Sequence, residues 1–276
     1  MRFADDTQRR LTLRVPLRAC LGGDCSTTIS SAGHELPSIT HMEEVVVQTG
    51  MYSPAEVTSN LSDTGDTKAT RPALDLWLLG ALAGAYISIA GLVSHVIGHD
   101  IANYLGVGVA RFISGSVFTL GLALVVLAGA ELFTGNCLII ISVLDKRVSW
   151  RAMFRNWIII WLANGVGSLL VVGLALATNI GSLNGGAVGE YAAGVAAGKL
   201  ALPFGVVFAR AIFANWLVCL AVWLASSAKD VAGKIAGMYL PIMGFVATNM
   251  EHVIANMFSI PYGLAVAGNL NAQTFA

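Results

Sequence analysis

The stretch Thr248-Asn249-Met250-Glu251-His252-Val253-Ile254-Ala255-Asn256-Met257 interrupts an apolar run that extends from about Ile235 to about Ala267. A carboxylate and an imidazole stand side by side where the flanking residues call for lipid. An ionisable residue in mid-membrane costs about 2.5–3.5 kcal/mol on insertion scales, so it faces a bundle interior or a solute path. The run is also too long for one span, which needs about 20 apolar residues. A second run, about Val107 to Leu144, is over-long in the same way and carries Glu131 inside Gly129-Ala130-Glu131-Leu132-Phe133-Thr134-Gly135-Asn136. Backbone that leaves the helix at membrane depth is tolerated only where it is buried in protein or lines a cavity. Interruptions at corresponding positions of two halves point to a transport site. The competing reading is two long tilted helices with satisfied carboxylates.

Around these two runs lie three uninterrupted apolar segments, about Ala73–Ile97, Trp157–Thr178 and Leu202–Ala225. The sequence therefore predicts five crossings, the second and fifth broken. Composition agrees: of 276 residues, 56% are hydrophobic and 12% charged, against roughly 25% charged in soluble domains. The mean hydropathy is +0.72. Thirty glycines suit close helix packing in lipid. The formal net charge is zero, and no basic run suggests nucleic acid. Cys20, Cys25, Cys137 and Cys219 show no metal-ligand spacing and no disulfide framework.

Residues 1–50 form a polar N-terminal extension with five arginines between Arg2 and Arg18. They read as a disordered tail, an over-extended start, or an organelle transit peptide, the last weakened by Asp5, Asp6 and Asp24. Residues 51–72 read as a short cytoplasmic surface helix. Ser53 suits the N-cap, Pro54 the first turn and Glu56 the capping box. Residues 73–268 form the transmembrane domain, and residues 269–276 a C-terminus that stops after the fifth segment. Lys68, Arg71, Lys146, Arg147, Arg151, Arg155, Lys229 and Lys234 lie on one side and only Arg111 and Lys199 on the other, which places the N-terminus in the cytoplasm.

His252, with an ordinary pKa near neutrality, can offer a hydrogen bond or a proton to a passing anion; its bland alternative is a structural histidine. Thr134 sits where a half-helix could restart, adding a hydroxyl to a partly positive helix N-terminus; it could equally be a capping threonine. Lys199, read as opening the fourth segment, either draws anions to the outer mouth or anchors a helix end. His95, His99 and Asp100 read as a solvated loop after the first segment. Phe118, Leu122, Phe133 and Phe245 flank the breaks as bulky apolar residues, of the kind that can form constrictions.

Several stretches, in order, resemble the formate/nitrite transporter family. They are Ser53-Pro54-Ala55-Glu56-Val57, Lys68-Ala69-Thr70, Ala83-Gly84-Ala85-Tyr86-Ile87-Ser88-Ile89, Phe118-Thr119-Leu120-Gly121-Leu122, residues 129–136, residues 215–223 and Glu251-His252-Val253-Ile254-Ala255-Asn256-Met257-Phe258. The resemblance implies an all-α membrane protein, an aquaporin-like helical bundle of inverted three-helix repeats assembled as a homopentamer. Five of the usual six transmembrane helices are present. It implies a path for a small monovalent weak-acid anion such as formate or nitrite, with protons as partner, no cofactor, no metal and no enzymatic step. Leu122 and Phe245 would belong to two apolar constrictions. Thr134 and His252 would lie between them, with Phe118, Leu132 and Phe133 along the path, Lys199 at the outer vestibule, and Glu251 and Asn256 beside the histidine. Burial raises the pKa of a carboxylic acid, so an anion drawn inward could cross as the neutral acid. Two departures stand out. The sequence as given stops before the family's sixth helix, which carries an asparagine facing the central histidine, and so reads as a truncated gene model or a fragment; and Asn249-Met250 replaces the usual Gly-Phe. The first departure leaves an alternative: a truncated, non-transporting subunit that assembles with full-length homologues. The host membrane reads as a cell membrane, plasma or inner, with a plastid envelope as the alternative.

Overall fold

The computed structural model describes residues 50–274, with side chains through residue 268. The N-terminal extension, except Gly50, lies outside the described residues together with Cys20 and Cys25, as do residues 275–276. The described residues are helical apart from turns and one isolated bridge between Met51 and Ala228.

Helix α1, Pro54–Thr70, starts as the sequence predicts. The Ser53 side chain accepts from the Glu56 N–H, and Glu56 bonds back to the Ser53 N–H at 2.7 Å, closing a capping box. Helices α2 (Ala73–Gly98), α3 (Ile101–Ala128), α6 (Trp150–Ala177) and α8 (Phe204–Ser227) are each long and apolar enough to cross a membrane. Between α3 and α6, the chain breaks and restarts as α4 (Phe133–Asn136), a 3₁₀ turn and α5 (Ile140–Leu144). After α8 come α9 (Val231–Ala247), a second break, and α10 (Val253–Thr274). Both predicted interruptions are therefore present.

One element departs from the sequence reading. The connection between the third and fourth crossings contains a helix, α7 (Ala187–Leu200), packed along α10. Its 14 residues are too few for a span, and its alanines and glycines replace the bulky apolar residues that mark one. The small side chains let it approach closely: a Cβ on Gly263 of α10 would collide with the Ala192 carbonyl and the Ala196 methyl. Lys199 thus sits in the last turn of α7 and does not open α8, whose N-cap is Pro203.

With α7 placed, the chain shows two similar halves. Each begins with a helix ending near a lysine and a proline four residues on, Lys68 and Pro72 in one, Lys199 and Pro203 in the other. Each then runs through two apolar helices into a break, α2 and α3 in one, α8 and α9 in the other. Three crossings (α2, α3–α5 and α6) separate the two starts, so the halves run in opposite directions. In the first half α2 packs along α6 so tightly that a Cβ on Gly84 would strike the Asn164 carbonyl and one on Gly167 the Ala81 carbonyl. No counterpart of α6 covers α8 among the described residues. Only 17% of the apolar stretch of α8 is buried, against 44% for α2, α3 and α6.

The central apolar core joins both halves. Phe118, Leu122 and Val125 of α3 meet Leu132 of the first break, Ala214 and Val218 of α8, and Met238, Ile242 and Phe245 of α9.

Candidate functional site

The two breaks are built alike. Helix α3 ends with Gly129 in the left-handed region (φ 80°), and α9 ends with Asn249 there (φ 56°). In each, the next N–H reaches back five residues, Ala130 to the Val125 carbonyl at 2.9 Å and Met250 to the Phe245 carbonyl at 3.0 Å. This is a Schellman-type close, which needs glycine or a tolerant residue such as asparagine at the left-handed position. Glu131 and Glu251 follow two residues later, and Asn136 and Asn256 five residues after those.

Both carboxylates are buried and each has a lysine from the helix that opens its half. Lys68 Nζ lies 2.9 Å from Glu131 Oε2, and Lys199 Nζ 2.8 Å from Glu251 Oε2. Arg71 adds a second cation 3.8 Å from Glu131. Asn256 Nδ2 donates to Glu251 Oε2 at 2.8 Å. Lys199 is therefore an ion-paired side chain that also borders two cavities.

His252 is the residue before α10. Its Nδ1 accepts from the Ala255 N–H at 3.1 Å. That leaves the proton of a neutral imidazole on Nε2, which lies 3.0 Å from Thr134 Oγ1. The imidazole donates and the hydroxyl accepts, which frees the hydroxyl hydrogen of Thr134 to point at a third group. Thr134 lies in the first turn after α4 restarts at Phe133. One hydrogen bond thus joins the two half-helix starts. The Phe245 ring stacks on His252 with centroids 5.5 Å apart, and Phe118 meets Phe245 edge-to-face at 5.6 Å.

A cavity of about 310 Å³ descends to this group from the side that carries Arg111 and Lys199. Among the residues predicted from sequence, it touches Lys199, Phe118, Phe245, His252 and Asn256. Glu251 borders an adjoining cavity with Lys199 and Arg210. Thr134 lies one hydrogen bond beyond His252. Leu122 and Leu132 are in the apolar core next to Phe245, and Phe133 packs edge-to-face on Trp157 at 6.2 Å. No group of three or more potential metal ligands exists among the described residues.

Three groups escaped the sequence reading. His95 is not in a solvated loop. Helix α2 continues to Gly98, and His95 is 7% exposed against the cavity. The signal was present: Gly91, Ser94, His95 and Gly98 are small or polar residues at helical spacing on one face of an apolar span. His99, in contact with the Val96 carbonyl through Nδ1 and with Asn184 through Nε2, is likewise largely enclosed. Asn164, an amide in the middle of α6, donates to the Gly80 carbonyl at 2.8 Å and the Glu131 carbonyl at 2.9 Å, and accepts from the Phe133 N–H at 2.9 Å. Finally, Lys68 and Arg71, read only as topogenic charges, hold Glu131.

Comparison with known proteins fits this geometry. A family model described as "Formate/nitrite transporter" matches residues 55–276. The chain is 41% identical over 239 residues to a "Probable formate transporter" of Methanothermobacter thermautotrophicus, covering 81% of this chain and 87% of the relative. It is 35% identical over 213 residues to "Formate channel FocA" of Escherichia coli K12, covering 77% and 74%. Among solved structures, it resembles a "Pentameric formate channel with formate bound" with TM-score 0.64 and 36% identity, covering 70% of this chain and 76% of that one. An "FNT family ion channel" aligns with TM-score 0.68 and 28% identity over 75% and 82%. These relatives are channels and transporters, not enzymes. The chain, an all-helical membrane protein, belongs to the formate/nitrite transporter family.

Proposed function

We propose that the protein conducts a small monovalent weak-acid anion of the formate or nitrite type, coupled to a proton, through the path that passes His252 and Thr134. The observation that carries this reading is the Nε2–Oγ1 hydrogen bond of 3.0 Å at the cavity floor, beside Phe118 and Phe245. A bare anion cannot enter such surroundings cheaply. Arg111 and Lys199 at the mouth raise the local anion concentration. The imidazole N–H and the hydroxyl then hydrogen-bond the anion, and burial raises its proton affinity. The neutral acid passes the apolar side chains of Phe118, Phe245 and Leu122, which form the constrictions in this reading. The related structure described as a pentameric formate channel supports a homopentamer in which each protomer holds its own path. The assembly sits in lipid in the plasma or inner membrane, with a plastid envelope as the other reading of the Arg-rich extension.

Proteoliposome uptake of formate and nitrite, with and without an inward proton gradient, tests the proposal. Saturable flux that the gradient accelerates is expected, and His252→Phe should alter its pH profile. Flux of neither anion would overturn the reading. Co-purification with a longer homologue in that case would support the non-transporting subunit instead.

A further inference from the structure

We propose that His95 forms a second anion-binding station in the outer cavity, met by the solute before it reaches His252. The inference rests on the transport reading above and deepens it.

His95 is 7% exposed, yet its Nδ1 is buried with no hydrogen-bond partner. Buried polar atoms in folded proteins are nearly always paired, with protein or with an occupant of the site. Among the neighbouring polar groups, Asn256 Oδ1 and Glu251 Oε1 are unpaired as well but can only accept, so they supply no donor to an anion. Ser94 Oγ donates to the Ser114 carbonyl at 3.0 Å, and Glu251 Oε2 is shared by Lys199 and Asn256. The ring itself is held firmly. Tyr191 meets it edge-on at 5.8 Å and Phe258 at a tilt of 37° with centroids 6.0 Å apart. Two aromatic neighbours would hold a phenylalanine equally well, so packing alone does not call for an imidazole. His95 lines the same cavity as His252, Asn256, Lys199 and Arg111.

The charges around it favour an anion. On the elements packed against this end of α2, the titratable or charged groups facing the cavity are Arg111 of α3, Tyr191 and Lys199 of α7, and His252 at the start of α10. Glu251 is the carboxylate next to them, and its charge is matched by Lys199. His99 on α2 is occupied by the Val96 carbonyl and Asn184. With the Lys199 charge offset by Glu251, Arg111 leaves the cavity net positive, and a neutral imidazole there can donate its N–H to a planar oxyanion of carboxylate or nitrite size. The fixed ring makes it a positioned donor between the mouth and the floor.

Formate flux into proteoliposomes should be measured for wild type, His95→Phe and His95→Gln, alongside ¹⁵N spectra of the histidine rings in nanodiscs during a formate titration. Loss of one hydrogen bond to a charged group predicts that His95→Phe raises the half-saturating formate concentration about tenfold. Its maximal rate should stay near wild type, and His95→Gln, which keeps a donor, should recover most of the affinity. The His95 ring signal should shift with formate at the same half-saturation. A wild-type half-saturation in His95→Phe overturns the proposal. Equal losses in both variants with lowered thermal stability assign His95 to packing and also overturn it. If wild type itself carries no flux, the transport reading fails separately, and a His95 signal indifferent to formate then removes this proposal too.

Discussion

The two breaks share a backbone plan but are fastened differently. The first is held by other helices. Asn164 of α6 takes up the Glu131 carbonyl, the Phe133 N–H and the Gly80 carbonyl; the Glu131 N–H donates to the Leu79 carbonyl of α2 at 3.1 Å; and Lys68 and Arg71 flank the carboxylate. The second is held mostly by itself. His252 caps α10 through Ala255, Asn256 reaches back to Glu251, and the outside partners are Lys199, the Thr134 hydroxyl on His252 and a 3.4 Å bond from Arg210 to the Asn249 carbonyl. Glu251 Oε1 and Asn256 Oδ1 have no partner among the described residues. At the first break Arg71 Nε and Glu131 Oε2 also lack a hydrogen bond, although Lys68 pairs with the carboxylate. The contrast lies in where the partners come from, neighbouring helices for the wall that presents Thr134 and the loop itself for the side where the imidazole faces the cavity.

The lysines give the largest expected contrast. Removing one partner of a buried ion pair costs about 3–5 kcal/mol, because the other charge stays behind. Lys199→Met leaves Glu251 with no cation within ion-pair distance among the described residues, and should lose stability of that order. Lys68→Met leaves Arg71 near Glu131, and should lose less. Denaturant titration of the purified protein in mixed micelles reads both. A larger loss for Lys68→Met would reverse the assignment of the better-secured break.

The amides come next. Asn164→Ala strands the Phe133 N–H and the Glu131 carbonyl, while the Gly80 carbonyl keeps its bond within α2; each stranded group costs about 1–3 kcal/mol. A loss of about 3 kcal/mol is expected. Asn256→Ala removes one donor to a carboxylate that Lys199 still holds, so about 1 kcal/mol is expected. The same unfolding assay compares them, and equal losses would erase the distinction between a wall and a self-supporting loop.

What the sequence discloses follows the same physics. Both breaks were legible because each over-long apolar run carries a carboxylate in its middle, and the α1 start was legible because Ser53, Pro54 and Glu56 are a local signal. Helix α7 was not, since a short helix of alanine and glycine carries neither span length nor bulky periodicity, and its placement depends on Gly263 across the bundle. Asn164 was hidden for a related reason. A single amide in an apolar span gains meaning only when the carbonyls it serves, at Gly80 and Glu131, are brought to it by folding. The cluster of Thr134 with His252 spans 118 positions, and neither residue announces the other. His95 was misread because three polar residues close together suggest a loop; the helical spacing of Gly91, Ser94, His95 and Gly98 argued otherwise.

The helices that carry the two lysines differ as well, and this gives the smallest effect. Helix α1 begins with the Ser53–Glu56 box, whereas α7 follows Gly186 and has no side-chain cap. The Ser53 backbone N–H, then its hydroxyl, holds the exposed Glu56 carboxyl below its ordinary value of 4.5. A carboxyl whose folded pKa is depressed stabilises the fold above the unfolded value and loses that contribution as pH falls through the folded one. The α1 cap should therefore be intact at neutral pH and weaken below about pH 4.5, while α7 has no such cap to lose. Hydrogen exchange of the first α1 turn, stepped down in pH and corrected for intrinsic rates, should show protection falling in wild type but pH-independent in Glu56→Ala. Protection that holds constant in wild type would mean the box contributes nothing to anchoring Lys68. Lys68 would then hold Glu131 without help from the start of its helix, as Lys199 holds Glu251 from the uncapped α7, and the contrast between the breaks would rest on Asn164 and α2.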